Sequence, residues 1–115
     1  MATRQKGGLG PKRKGDAFEA KVCADQERIG RVAFRVRQGG GEPVDVVSVQ
    51  ATDGAMGCGC VVLFIQCKAT RPYLAPAERE AFIEKSKLAG AIPLVAWWDK
   101  VEKAIQYKRL QEVNE

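Results

Sequence analysis

The sequence predicts a single α/β domain, a central mixed β-sheet flanked by helices, with its elements in the order αβββαββ. Three observations carry this reading. Two segments of helical character, 16–28 and 75–89, are each closed by a glycine, Gly30 and Gly90. Residues 32–37 alternate apolar Val32, Phe34 and Val36 with Ala33, Arg35 and Arg37, the pattern of a half-buried strand. Residues 61–65 are apolar without a break, as expected of a central strand covered on both faces. A chain of 115 residues is long enough for one domain with a real core.

The elements follow in order. In the first helix Phe18, Val22 and Cys23 make a short apolar stripe, and Glu19 lies one position from it. The strand at 32–37 has a basic second face. A glycine-rich break at 39–43 leads into a second strand at 44–50, and Asp53, Gly54 and the glycines up to Gly59 form a hairpin-like connection to the strand at 61–68. Thr70-Arg71-Pro72 ends that strand. The helix at 75–89 has Pro76 in its first turn, where a missing N–H costs nothing, and Phe82, Ile83 and Leu88 as core candidates. Strands at 92–98 and 104–107 complete the sheet.

Charge is informative through its placement. The net charge is +5, and residues 1–14 hold Arg4, Lys6, Lys12, Arg13 and Lys14 with no acid. The remaining fourteen bases and fourteen acids balance. Glycine, proline and the lack of apolar periodicity predict a flexible basic arm over 1–14, followed by one domain over 15–115. Such an arm suits phosphate binding, each neutralised phosphate releasing counterions; the alternative is a solubilising tail. Arg28, Arg31, Arg35 and Arg37 form a second basic stretch leading to the next strand. No stretch approaches the eighteen or more apolar residues of a membrane span, and the first residues lack the apolar core of a secretory signal, so an intracellular setting is expected. Cys23, Cys58, Cys60 and Cys67 lack zinc-site spacing and there is no histidine, so reduced thiols are expected.

Asp45, Gln66 and Lys68 are the candidates for chemistry. Strand side chains alternate, so Gln66 and Lys68 share a face at the end of an apolar strand, where Asp45 can meet them from its neighbour. An acid facing a polar-x-Lys pair suits metal-dependent phosphodiester hydrolysis: an ion polarises the phosphate and activates water, and a cation offsets the growing charge. Asp45 is the best ligand candidate, although alone it also fits a strand-end aspartate bonded to backbone amides. Gln66 can offer its amide oxygen and Cys67 its backbone carbonyl. Glu19 can complete the shell directly or through water, since Mg²⁺ commonly keeps several waters; the plainer reading of Glu19 is a helix-surface acid. Glu42, across the glycine loop, is a substitute ligand candidate.

With these residues in place the chain resembles a known family. Arg13-Lys14-Gly15 with Glu19, Arg37 ahead of Val44-Asp45, Gln66-x-Lys68, Tyr73-Leu74, Ala89-Gly90 and the run from Ile92 to Ala96, in this order, resemble an archaeal-type Holliday junction resolvase of the PD-(D/E)xK nuclease superfamily, short versions of which occur in phages. The resemblance covers about residues 12–110. It implies a restriction-endonuclease-like core, with Glu19, Asp45, Gln66 and Lys68 catalytic, Mg²⁺ or Mn²⁺ as cofactor and no small-molecule cofactor. It also implies a homodimer cutting opposing strands of branched DNA, a four-way junction, with no membrane partner. Arg4, Lys6, Lys12, Arg13, Lys14, Arg35, Arg37 and Arg71 are the expected DNA contacts, Arg37 at the phosphate. Two departures stand out: Gln66 occupies a position usually held by Glu, and Gly39-Gly40-Gly41 lies where a serine is often found. Replacing a carboxylate by an amide keeps an oxygen donor and removes a charge, so Gln66→Glu is expected to lower the Mg²⁺ requirement. Alternatives are another nuclease of this superfamily acting in repair, restriction or on flaps, and a non-catalytic junction-binding module.

Overall fold

The computed structural model describes residues 10–36, 43–51 and 59–111, with side chains from Asp16 onward. The elements are α1 (Gly10–Arg28), β1 (Val32–Arg35), β2 (Val46–Ala51), β3 (Cys60–Lys68), α2 (Pro76–Ala89), β4 (Ile92–Asp99) and β5 (Ala104–Arg109). The predicted order αβββαββ is the observed one. Five strands form one sheet in the order β1-β2-β3-β4-β5, with β3 and β4 parallel and the other pairs antiparallel. The crossover through α2 makes β3 and β4 parallel, and β3 is the central strand, as its two-sided apolar run predicts.

Each helix covers one face of the sheet. On the α1 face Val22, Val46, Ile65 and Ala96 are fully buried, with Phe18, Cys23 and Cys67 packed against them. On the α2 face Phe82, Ile83, Val95 and Leu110 form a second core with Val44 and Leu74, and Phe64 and Val47 lie against it. Gly90 ends α2 in the left-handed conformation at φ 70°, its N–H donating to the carbonyls of Lys87 and Ser86.

Several expectations change. α1 begins at Gly10 rather than residue 16, so Lys12, Arg13 and Lys14 are carried on its first turns; Pro11 fits there because first-turn N–H groups have no intrahelical acceptor. Leu88, expected in the core, is 81% exposed: it belongs to the last turn of α2, turned away from Phe82 and Ile83. On β1 the apolar face is the open one. Val32 and Phe34 are 55% and 58% exposed, while Ala33 packs against the α1 core. β1 is an edge strand with α1 on one side only, and the close helix admits alanine there. Arg4, Lys6, Arg37, Glu42, the glycines 39–41, Asp53, Gly54 and Cys58 lie outside the described residues.

Candidate functional site at the end of β2 and β3

The backbone departs from regular strand geometry at Asp45. Val46 pairs with Ile65 in register, yet the Asp45 N–H also donates to the Ile65 carbonyl at 2.9 Å, so two residues of one strand oppose one of the other. This is the signature of a bulge, which re-aims a side chain at a strand end. Its effect is visible in packing: Val44 lies in the α2 core and Val46 in the α1 core, although residues two apart in a regular strand share a face. The carboxylate of Asp45 is thereby turned to the backbone of β3, where Oδ2 accepts the Cys67 N–H at 2.8 Å. N–H and C=O of one strand residue point the same way, so the Cys67 carbonyl also faces the Asp45 side of β3.

Glu19 approaches from α1, its side chain 12% exposed. Burial first, then the nearby negative charge of Asp45, raises its pKa above the ordinary glutamate value, and the Arg35 guanidinium partly offsets this. Arg35 lies 3.3 Å from Glu19 Oε1 and 3.1 Å from Asp16 Oδ1, so this expected DNA contact is held by two acids of α1 while remaining 42% exposed. The Cys67 thiol is pushed far up by burial, then by Asp45 and Glu19, and is therefore an inert packing group. Cys23, Cys60 and Cys67 are free thiols.

Gln66 and Lys68 do share a face, the α2 face, and there both meet a residue that sequence reasoning missed. Glu78, in the first turn of α2, accepts through Oε2 from Gln66 Nε2 at 2.9 Å and from Lys68 Nζ at 3.1 Å. Its Oε1 accepts the Ala75 N–H at 3.4 Å. An acid three residues past a helix entry reads as a capping group, and Glu78 has that role too; its chemical neighbourhood follows only from the packing of α2 on β3. Gln66 is 7% exposed, and its Oε1 is buried without a hydrogen-bond partner. Arg71, just beyond β3, is exposed.

These observations fit a divalent cation. An unpartnered buried amide oxygen is a ready oxygen donor, and a second carboxylate beside Asp45 is a repulsion that a cation relieves. Among the described residues no three His, Cys, Asp or Glu side chains converge, so such an ion would need Asp45, Gln66 Oε1 and the Cys67 carbonyl; Glu19 approaches from the α1 side, whereas Gln66 and Lys68 lie on the α2 side.

Fold and site together define an α/β protein with an aspartate at the bulge before β2, a glutamate of α1 near it and a lysine at the end of β3. No family model and no curated protein matches the sequence. Among solved structures the chain is similar to Hjc of Archaeoglobus fulgidus, a Holliday junction resolvase from an archaeal hyperthermophile, solved at 1.6 Å. The match has a TM-score of 0.62 and 24% sequence identity, covering 83% of this chain and 76% of that chain. It shows a shared fold, the mixed five-stranded sheet with flanking helices.

Proposed function

We propose that this chain is a structure-selective endodeoxyribonuclease that resolves four-way DNA junctions by metal-dependent phosphodiester hydrolysis, acting as a homodimer that makes paired nicks. The observation that carries the reading is Asp45 at the bulge before β2, its Oδ2 on the Cys67 N–H at 2.8 Å, with the charge of Glu19 acting on it from α1. Arg35 compensates Glu19 only in part and Asp45 holds the Cys67 N–H, so the two acids stay close enough to interact, an arrangement that suits a cation and a phosphate. Similarity of fold to a junction resolvase favours the four-way junction over flap or duplex substrates.

Mg²⁺ or Mn²⁺, when bound, polarises the scissile phosphate and lowers the pKa of the attacking water. Asp45, Gln66 Oε1 and the Cys67 carbonyl supply the donors. Lys68, 28% exposed, orients the nucleophile or offsets the charge that grows on the phosphate. Glu19 acts directly or through water. Arg71, Arg35 and the basic residues of the arm and first helical turns, Arg4, Lys6, Lys12, Arg13 and Lys14, bind the backbone phosphates, with Arg37 at the scissile one. A second copy supplies the second site, since two-fold symmetry matches a four-way junction.

The test is cleavage of a four-way junction, a flap and a linear duplex at millimolar Mg²⁺ or Mn²⁺, with Asp45→Asn as the control. The expected result is junction nicking that Asp45→Asn abolishes while binding is retained. One observation favours a non-catalytic junction-binding module instead, the absence of a three-acid cluster among the described residues. Tight junction binding without nicking under every ion condition would establish that alternative.

A further inference from the structure

The metal reading leaves a question about Gln66: an amide has a donor end and an acceptor end, and only the acceptor end can serve a cation. Something must set which end faces the site. Glu78 does this. Its carboxylate offers acceptors only, so the contact at 2.9 Å from Oε2 requires the Gln66 NH₂ on that side. A planar amide then carries Oε1 away from Glu78. That oxygen is the one found buried without a donor, on a residue 7% exposed. Lys68 donates to the same Oε2 at 3.1 Å, which keeps the Glu78 carboxylate compensated and the lysine in place on the strand.

We propose that Glu78 is a positioning residue of the metal site, locking the Gln66 amide with Oε1 turned to the cation and tethering Lys68 beside it. The inference rests on the metal reading above. It also accounts for glutamine at position 66. A glutamate there would set a second carboxylate against Glu78 at hydrogen-bond distance, so the acid and the amide are a matched pair with their charge on the helix rather than on the strand. The expectation that Gln66→Glu alone strengthens metal binding is revised accordingly: the gain requires removing the Glu78 charge at the same time.

The experiment is a Mn²⁺ titration followed by electron paramagnetic resonance on the full chain. It compares wild type, Glu78→Gln, Gln66→Glu and the exchange Gln66→Glu with Glu78→Gln, each first shown by circular dichroism to unfold cooperatively. Glu78→Gln offers Gln66 a donor as well as an acceptor, so the amide is no longer locked, and Mn²⁺ affinity should fall by about tenfold or more, the range seen when groups behind a metal ligand are removed. Glu78→Ala, which removes the acceptor outright, should lose at least as much. Gln66→Glu alone should bind no more tightly than wild type. The exchange restores one acid and one amide in contact, and its affinity should return to wild-type level or better, a rescue that a merely structural role for Glu78 does not produce. Wild-type affinity in Glu78→Gln, or an exchange variant as weak as Glu78→Gln, overturns the inference while leaving the metal reading intact. A wild-type chain that binds no Mn²⁺ overturns both.

Discussion

Glu19 is placed against its own stability. Its carboxylate is mostly out of water and close to that of Asp45, and both effects favour the protonated acid in the folded chain. In the unfolded chain the group has its ordinary value of 4.5. The folded state therefore binds more protons between that value and the raised one, and stability falls as pH rises through this window. Below it the Glu19 contribution is fully present; at neutral pH it is lost. Glu19→Gln should accordingly raise the melting temperature at pH 7 by about 2–5 °C, with the advantage vanishing below pH 4.5. A thermal melt series from pH 4 to pH 8 checks this, and a destabilised Glu19→Gln at pH 7 would show that the Arg35 contact outweighs the crowding. Millimolar Mg²⁺ should reverse the order by stabilising the wild type alone. At this scale much was legible in the sequence. Asp45, Gln66 and Lys68 could be placed at neighbouring strand ends from alternation, but the bulge that turns Asp45 to the β3 backbone could not, because Val44-Asp45-Val46 reads as an uninterrupted strand. Glu78 was hidden for a different reason: no local pattern says which strand a helix's first turn will touch.

Among elements, the joint between α1 and the sheet depends on a buried polar network rather than on apolar contact alone. Ser48 is fully buried on β2, donating through Oγ to Gln26 Oε1 at 2.8 Å and accepting from Arg31 Nε at 2.6 Å. Arg31 continues to the Ser48 carbonyl at 3.1 Å, the Val61 carbonyl at 2.9 Å and Gln50 Oε1 at 2.9 Å. One guanidinium from the turn after α1 thus pins β2 and β3 together, which removes Arg31 from the basic stretch available to DNA. Arg28 is likewise paired, with Asp25 at 2.6 Å. Ser48→Ala strands the buried Gln26 Oε1 and the half-buried Arg31 Nε, and should cost about 1–3 kcal/mol, read as a lower urea midpoint at unchanged slope. An effect below about 0.5 kcal/mol would mean that water replaces the hydroxyl. The sequence could not announce this network. A serine and a glutamine at alternating strand positions look like a solvent face, and the alternating valines and phenylalanine of β1 look like a core face. The single helix above β1 and β2 buries Ala33 and Ser48 and leaves Val32, Phe34 and Gln50 outside.

For the whole molecule, the uncovered apolar surface is the feature that asks for an explanation. Phe34 pairs with Val47 across β1 and β2, and Val47 lies on the α2 face, so Phe34 and Val32 continue that face past the reach of α2. Val36, Val44, Val47 and Phe64 line a groove there with Lys85, Leu88 and Ala89 from the last turns of α2. Val32 and Phe34 on β1 and Leu88 in the last turn of α2 are all exposed on this side of the sheet and suit the second copy in the proposed homodimer. A stable interface of standard size buries about 1,600 Å² in total, with aromatic anchors near its centre, and Phe34 is the aromatic residue on this edge. Phe34→Asp together with Leu88→Asp should therefore leave the fold intact, since substitutions at exposed positions stay within about 0.5 kcal/mol, yet convert a dimer to a monomer in sedimentation velocity. Cleavage should separate in parallel. On a plasmid extruding a cruciform, a dimer places two nicks within one binding event and yields linear DNA, whereas a monomeric variant yields nicked circles, because its second cut requires an independent encounter. A wild type that sediments as a monomer, or a double variant that remains dimeric and still linearises the plasmid, would move the partner to another surface and leave this edge without a role in symmetry.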